Sequence, residues 1–167
     1  MKHSALALLG ALALGSITLP HSAAAQEAVV EAVDKEALFT SPDPALNANK
    51  QLVYKIYRDL LEANQWDKAA DYLTERYIQH NPNAASGRQG VVDFFTKVLG
   101  ARPTPIRDRL KSPVVFVQAE GDLVTVATVR TEKDPKDPSK TYTTTWFDTW
   151  RIVDGKADEH WDSAVKM

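Results

Sequence analysis

A chain of 167 residues, 25% charged and 44% apolar, fits one domain with a sizeable core. That composition excludes a disordered, collagen-like or disulfide-built chain, and the lack of cysteine removes disulfides, zinc knuckles and thiol catalysis. Lys plus Arg number 20 against 22 Asp plus Glu, so no basic excess draws the protein to nucleic acid or to an anionic membrane.

The first 25 residues have the pattern of a secretory signal peptide. Lys2 precedes an apolar run from Ala5 to Ile17, Pro20 breaks it, and Ala23-Ala24-Ala25 supplies the small residues of an A-x-A cleavage site before Gln26. The run is too short for a permanent bilayer anchor. The expectation is a processed chain that begins near Gln26, is periplasmic or secreted, spans no membrane and carries net charge −3. Its only histidines are then His80 and His160.

Residues 26–43 read as a loosely held lead-in, and residues 44–167 as the domain. Asp43 is placed to cap a helix whose first residue is Pro44. Leu52, Val53, Ile56, Tyr57, Leu60 and Leu61 then form one apolar stripe to about Ala63. A short helix fits Asp67–Leu73. Ser86 and Gln89 suggest a capping box ahead of a third helix that carries Val91, Val92, Phe94, Phe95, Val98 and Leu99 and stops at Gly100. The run Arg102, Arg107, Arg109, Lys111 reads as a solvated approach to the strands.

After Pro105 the period changes to that of strands. Segments 114–119, 123–131, 142–153 and 157–165 are rich in Val, Thr and aromatics. Gly121-Asp122 and Asp154-Gly155 mark hairpin turns, and 134–139 a longer loop. Helices first and an antiparallel sheet second predict an α+β fold, with the helices on one face of a curved sheet.

The strand at 142–152 carries the sharpest chemical signal. Its even face is Tyr142, Thr144, Trp146, Asp148, Trp150 and Ile152, one carboxylate among aromatics. Such an Asp is either satisfied by backbone or Tyr donors or is a desolvated general acid/base. A two-residue turn at Asp154-Gly155 predicts that Ile152 faces Ala157, Trp150 faces Glu159 and Asp148 faces Trp161. Glu159 and Trp161 then join the Asp148 face, Arg151 meets Asp158, and His160 and Asp162 point away. A bulge or a one-residue slip reverses that assignment.

His80, beside Asn81 and Pro82 at an element end, is either a structural hydrogen-bonder or a residue at a cavity mouth. A metal held by His80, His160 and a carboxylate lacks any H-x-x-H or H-E-x-x-H spacing, so none is expected. Nucleophile-elbow and phosphate-loop motifs are absent.

Two segments resemble a known family. Tyr77-Ile78-Gln79-His80-Asn81-Pro82, with Gly87-Arg88-Gln89-Gly90 and Phe94-Phe95, resembles the Y-x-Q-H-N-P … G-R-x-G … F-F stretch of SnoaL-like proteins. Residues 147–156, followed by Glu159-His160-Trp161-Asp162, are similar to their closing hairpin. These proteins belong to the nuclear transport factor 2-like superfamily, and the resemblance covers residues 45–165. It implies a cone of three helices packed into a strongly curved antiparallel sheet around a pocket. It also implies aldol-type cyclase, isomerase or dehydratase chemistry without metal or organic cofactor. By motif position Asp148 matches the family's strand carboxylate and His80 its pocket histidine. Thr128 and Arg130 stand where relatives often carry a His, and Trp150 stands for the usual Phe. A secretion signal argues against antibiotic cyclisation itself.

The resulting expectation is an acid/base enzyme acting on an apolar, ring-bearing molecule. Asp148 would take a proton α to a carbonyl, His80 would donate to the enolate oxygen, and Glu159 would tune Asp148. Tyr142, Trp146, Trp150 and Trp161 would wall the pocket, with Asn81 and His160 as further ligand contacts. The alternative is a non-catalytic ligand-binding or scaffold module of the same fold. A homodimer through the sheet's outer face, with Phe147, is expected from the family.

Overall fold

The computed structural model describes residues 26–167; the leader predicted over 1–25 lies outside the described residues. Asp43 caps helix α1 (Pro44–Lys55) through its side chain, which accepts from the Ala45 and Leu46 backbone N–H groups, and Pro44 opens the first turn. The helix runs on as a wider π-helical stretch (Ile56–Glu62). Helix α2 is one short turn (Ala69–Tyr72), and α3 (Arg88–Asp93) also continues as a π-helical stretch (Phe94–Val98). The strands are β1 (Leu73–Gln79), β2 (Val114–Glu120), β3 (Leu123–Lys133), β4 (Thr141–Val153) and β5 (Lys156–Asp162). Among the described residues no helix is long and apolar enough to cross a membrane.

The strands form one sheet in the order β1-β5-β4-β3-β2. The predicted α+β class holds, with three helices packed on the sheet and a pocket between them. The sheet is mixed, however, because β1 joins β5 in parallel. Residues 74–79 carry too little alternation to announce a strand. They pair with a segment some eighty positions later, as a parallel partner must after a long crossover.

The inner face of the sheet alternates as the sequence predicts. Val124, Val126, Asp148, Trp150 and Ile152 are buried, while Phe147 and Val153 are exposed. The β4–β5 turn has positive φ at Asp154 (48°) and Gly155 (73°), the type I′ geometry that matches strand twist.

Three expectations are corrected. The lead-in is held in place: Phe39 is fully buried, Ala32 N–H reaches the Val114 carbonyl at 2.8 Å, and Glu36 accepts from Arg109 and the Leu110 N–H. No capping box forms at α3. Its N-cap is Gly87, at φ 88°, and the Ser86 hydroxyl accepts instead from the Gln79 N–H at 3.1 Å. Gly90 is needed for close approach, since a Cβ there would lie 2.6 Å from the Ala85 carbonyl oxygen.

The third correction decides the site. Val153 pairs with Lys156 and Ile152 with Ala157, as expected, but Arg151 pairs with Glu159. Asp158 is therefore the extra residue of a β-bulge. From there on the pairing runs Trp150 with His160, Thr149 with Trp161 and Asp148 with Asp162. Asp158 itself is buried and anchored on β1 by Thr74 Oγ1 at 2.8 Å and by the Arg76 guanidinium. The predicted Arg151–Asp158 pair is replaced by Arg151–Glu159 (3.1 Å) and Arg151–Asp122 (2.7 Å).

Candidate active site

One cavity of about 250 Å³ lies between the helices and the sheet. Its wall is apolar along Ile56, Leu60, Trp66, Val91, Phe94 and Phe95, with Trp66 stacked on Phe95 at 4.1 Å. Its polar end is made by Gln79, Asn81, Asp148, His160 and Asp162. An apolar wall with a few convergent polar groups is the usual make-up of a small-molecule site.

The bulge brings this polar end together. It turns His160 and Asp162 inward beside Asp148, and it turns Glu159 and Trp161 outward. Strand alternation does the same on β1, where Tyr77, Gln79 and, just beyond the strand, Asn81 line the cavity and His80 points away. His80 bonds Glu159 at 2.8 Å and stacks on Trp161 at 5.1 Å on the far side of the sheet. His80, Glu159 and Trp161 are thus corrected as pocket residues. Tyr142 lines a neighbouring surface hollow with Arg130 and Glu132. Asp148, Trp146, Trp150, Asn81 and His160 do line the cavity.

Hydrogen bonds assign the protons at the polar end. Gln79 Oε1 accepts the Asn81 backbone N–H at 3.0 Å, which fixes the orientation of the amide. The same oxygen lies 2.9 Å from His160 Nδ1, so Nδ1 carries a hydrogen. Nε2 of that ring faces Asp148 Oδ1 at 3.1 Å. Asp148 Oδ1 also accepts the Trp146 indole N–H at 3.1 Å, and Oδ2 accepts the Tyr57 hydroxyl at 2.7 Å. Burial first, then the Asp148 charge, pushes the Tyr57 phenol well above its ordinary value, so it stays a donor. One proton therefore sits between His160 Nε2 and Asp148 Oδ1. Whether on nitrogen or on oxygen, it leaves the pair without net charge.

Asp162 is different. It accepts Asn81 Nδ2 at 2.7 Å on Oδ2 and the Ala164 N–H at 2.9 Å on Oδ1. A carboxylate offers about four acceptor positions; Asp148 has three partners and Asp162 two. Asp162 is half-buried and Asp148 buried. Asp162 is therefore the carboxylate that a ligand can reach.

For a cation, Asp148, His160 and Asp162 each offer a ligand atom, all within 4.8 Å of one another. This is not the set weighed from the sequence, since His80 is on the other face. A metal ion would have to displace the proton held between Nε2 and Oδ1.

Sequence reasoning missed Asp162, Tyr57, Tyr77 and Gln79. Asp162 follows His160 by two residues, so any shift that turns one inward turns the other. Gln79 and Tyr77 alternate with His80 and Ile78 once 73–79 is read as a strand.

The model of the SnoaL-like domain matches residues 53–160, from the last turn of α1 through most of β5. No curated protein sequence matches the chain. Among solved structures, a candidate SnoaL-like polyketide cyclase from Jannaschia sp. CCS1 matches with TM-score 0.51 and 20% identity, over 74% of this chain and 91% of that one. A candidate polyketide cyclase from Acidithiobacillus ferrooxidans matches with TM-score 0.49 and 16% identity, over 69% and 86%. IdmH, a candidate polyketide cyclase from Streptomyces antibioticus, matches with TM-score 0.48 and 16% identity, over 68% and 89%. The likeness to the Jannaschia protein shows the fold.

Proposed function

The chain belongs to the SnoaL-like domain family, and we propose that it is a small-molecule enzyme working by acid–base chemistry with its own side chains. Asp162 takes the proton from a carbon next to a carbonyl. The C–H electron pair moves into the C–C bond as the carbonyl becomes an enolate. Asp162 then returns the proton, to carbon in an isomerisation or to an alkoxide oxygen after an aldol step. The Asp148–His160 pair, held by Tyr57, Trp146 and Gln79, keeps a fixed dipole beside the developing charge. Asp148 thus keeps a place in the site proposed from the sequence, as one half of that dipole, and Asp162 takes the proton-abstracting role that the sequence reading gave to Asp148. Both ring nitrogens of His160 are engaged, by Gln79 and Asp148, so the donation assigned to His80 does not pass to it.

The observation that carries this reading is a polar end in which His160 Nε2 meets Asp148 Oδ1 at 3.1 Å beside Asp162, set in an otherwise apolar cavity. The test is hydrogen–deuterium exchange at the α carbons of 2-indanone in D2O, followed by NMR. The wild-type protein should accelerate exchange, and Asp162→Asn should lose about 10²–10⁴ of that acceleration. A wild type that binds the ketone and leaves exchange at the buffer rate would favour a non-catalytic binding module.

Two further proposals rest on the sequence. The protein is exported, with residues 1–25 as leader; mass spectrometry of the exported chain should find Gln26 at its N-terminus. It forms a homodimer through the outer face of the sheet, where Phe116 and Phe147 meet at 6.2 Å and are each about two-fifths exposed. Light scattering at micromolar concentration tests this, and a monomer would refute it.

A further inference from the structure

Two tyrosines adjoin the Asp148–His160 pair, and their hydroxyls differ. The Tyr57 hydrogen is committed to Asp148 Oδ2 at 2.7 Å. The Tyr77 hydroxyl accepts the Trp150 indole N–H at 3.0 Å. An indole N–H is a donor only, so this contact uses a lone pair of the Tyr77 oxygen and leaves its hydrogen free. Among the described residues that hydrogen has no acceptor. Tyr77 is 3% exposed and lines the cavity. Its ring lies nearly parallel to that of His160, 15° apart with centroids at 6.4 Å, so it borders the proton-carrying pair.

A buried hydroxyl hydrogen without an acceptor is costly, and a ligand oxygen removes that cost. Burial, which outweighs the donor bond from Trp150, holds the Tyr77 phenol far above its ordinary value, so the proton stays on the oxygen. The cavity, about 250 Å³, exceeds the roughly 150 Å³ that admits a benzene ring. It has room for one substituted ring or two small fused ones.

We propose that Tyr77 donates a hydrogen bond to the carbonyl oxygen of the bound molecule, and that the ligands of this pocket are mono- or bicyclic ketones or aldehydes. The chemistry of this role rests on the acid–base reading of the same pocket. When Asp162 removes the α proton, the electron pair of the broken C–H bond ends as negative charge on the carbonyl oxygen. The Tyr77 O–H bond stays intact, and its hydrogen bond strengthens as that charge grows. Trp150 is a positioning residue, because its N–H fixes which side of the Tyr77 oxygen carries the hydrogen.

The test uses the processed protein and 2-indanone labelled with ¹³C at the carbonyl. Infrared difference spectra should place the bound carbonyl stretch at lower wavenumber than in buffer. Tyr77→Phe keeps the ring and removes the donor; the stretch should return towards the unbonded position and binding should weaken about three- to tenfold. Circular dichroism checks the fold of the variant. Should Tyr77→Phe not fold, Trp150→Phe is read in its place, with a smaller stretch displacement expected. An unchanged stretch in the variant, or no saturable binding of 2-indanone to the wild type, overturns the proposal. The displaced stretch without α-exchange would sink the acid–base reading and leave the Tyr77 contact standing.

Discussion

The described residues hold two histidine–carboxylate pairs, one on each face of the sheet. His160 and Asp148 lie inside, with side chains 8% and 12% exposed and 3.1 Å apart. His80 and Glu159 lie outside, with His80 44% exposed and the contact shorter, at 2.8 Å. Distance alone would rank the outer pair first. The surroundings rank them the other way. Every side chain hydrogen-bonded to the inner pair is an oriented, unionised donor or acceptor: Tyr57, Trp146 and Gln79. The outer pair is shared with Arg151, which also reaches Asp122, and water can screen the cluster. A short contact at the surface ties the end of β1 to β5; a longer one in a largely apolar cavity can hold a proton where a ligand meets it.

Of the substitutions Asp148→Asn, Arg76→Met and Glu159→Gln, the first breaks the inner pair and should have the largest effect. The Asn amide cannot share a proton with Nε2 as a carboxylate does, so 2-indanone exchange should fall by about 10²–10³ while the sheet survives. Retained exchange would remove Asp148 from the site.

Arg76→Met loosens the device that separates the two pairs. Hydrogen bonds from Arg76 are the main reason that the Asp158 carboxyl lies below its ordinary 3.8. A carboxyl depressed on folding stabilises the fold above its unfolded value, and this contribution is lost as pH falls below about 4. The variant should melt lower at pH 7, with a flatter acid limb below pH 4. It should also lose part of the exchange activity, since the bulge sets which face His160 occupies. An unchanged melt and rate would show that the bulge does not depend on Arg76.

Glu159→Gln touches only the outer pair and should have the smallest effect. His80, and then Arg151, hold the Glu159 carboxyl below its ordinary 4.5. Its contribution is therefore present above that pH and fades below it. The variant should lose this part of the acid dependence, shift the melting temperature by no more than about 2 °C at pH 7, and keep the exchange rate. A large loss of exchange would tie the outer pair to the chemistry.

The α+β order, the Asp43 cap, both hairpin turns and the inner face of β4 were legible in the sequence, because each follows from local periodicity or turn chemistry. The bulge was not. Asp158 is extra only because Thr74 and Arg76, more than eighty residues earlier, hold it, and no local pattern carries that contact. One residue of slip then exchanged Glu159 and Trp161 for His160 and Asp162. His80 was misplaced for a related reason: the parity of β1 shows only once its parallel partner β5 is known.

The most direct test compares α-exchange of 2-indanone by His160→Gln and by His80→Gln. The account predicts near-complete loss of the accelerated rate in the first and a rate within about twofold of wild type in the second. Equal losses in the two variants, or loss only with His80, would contradict it.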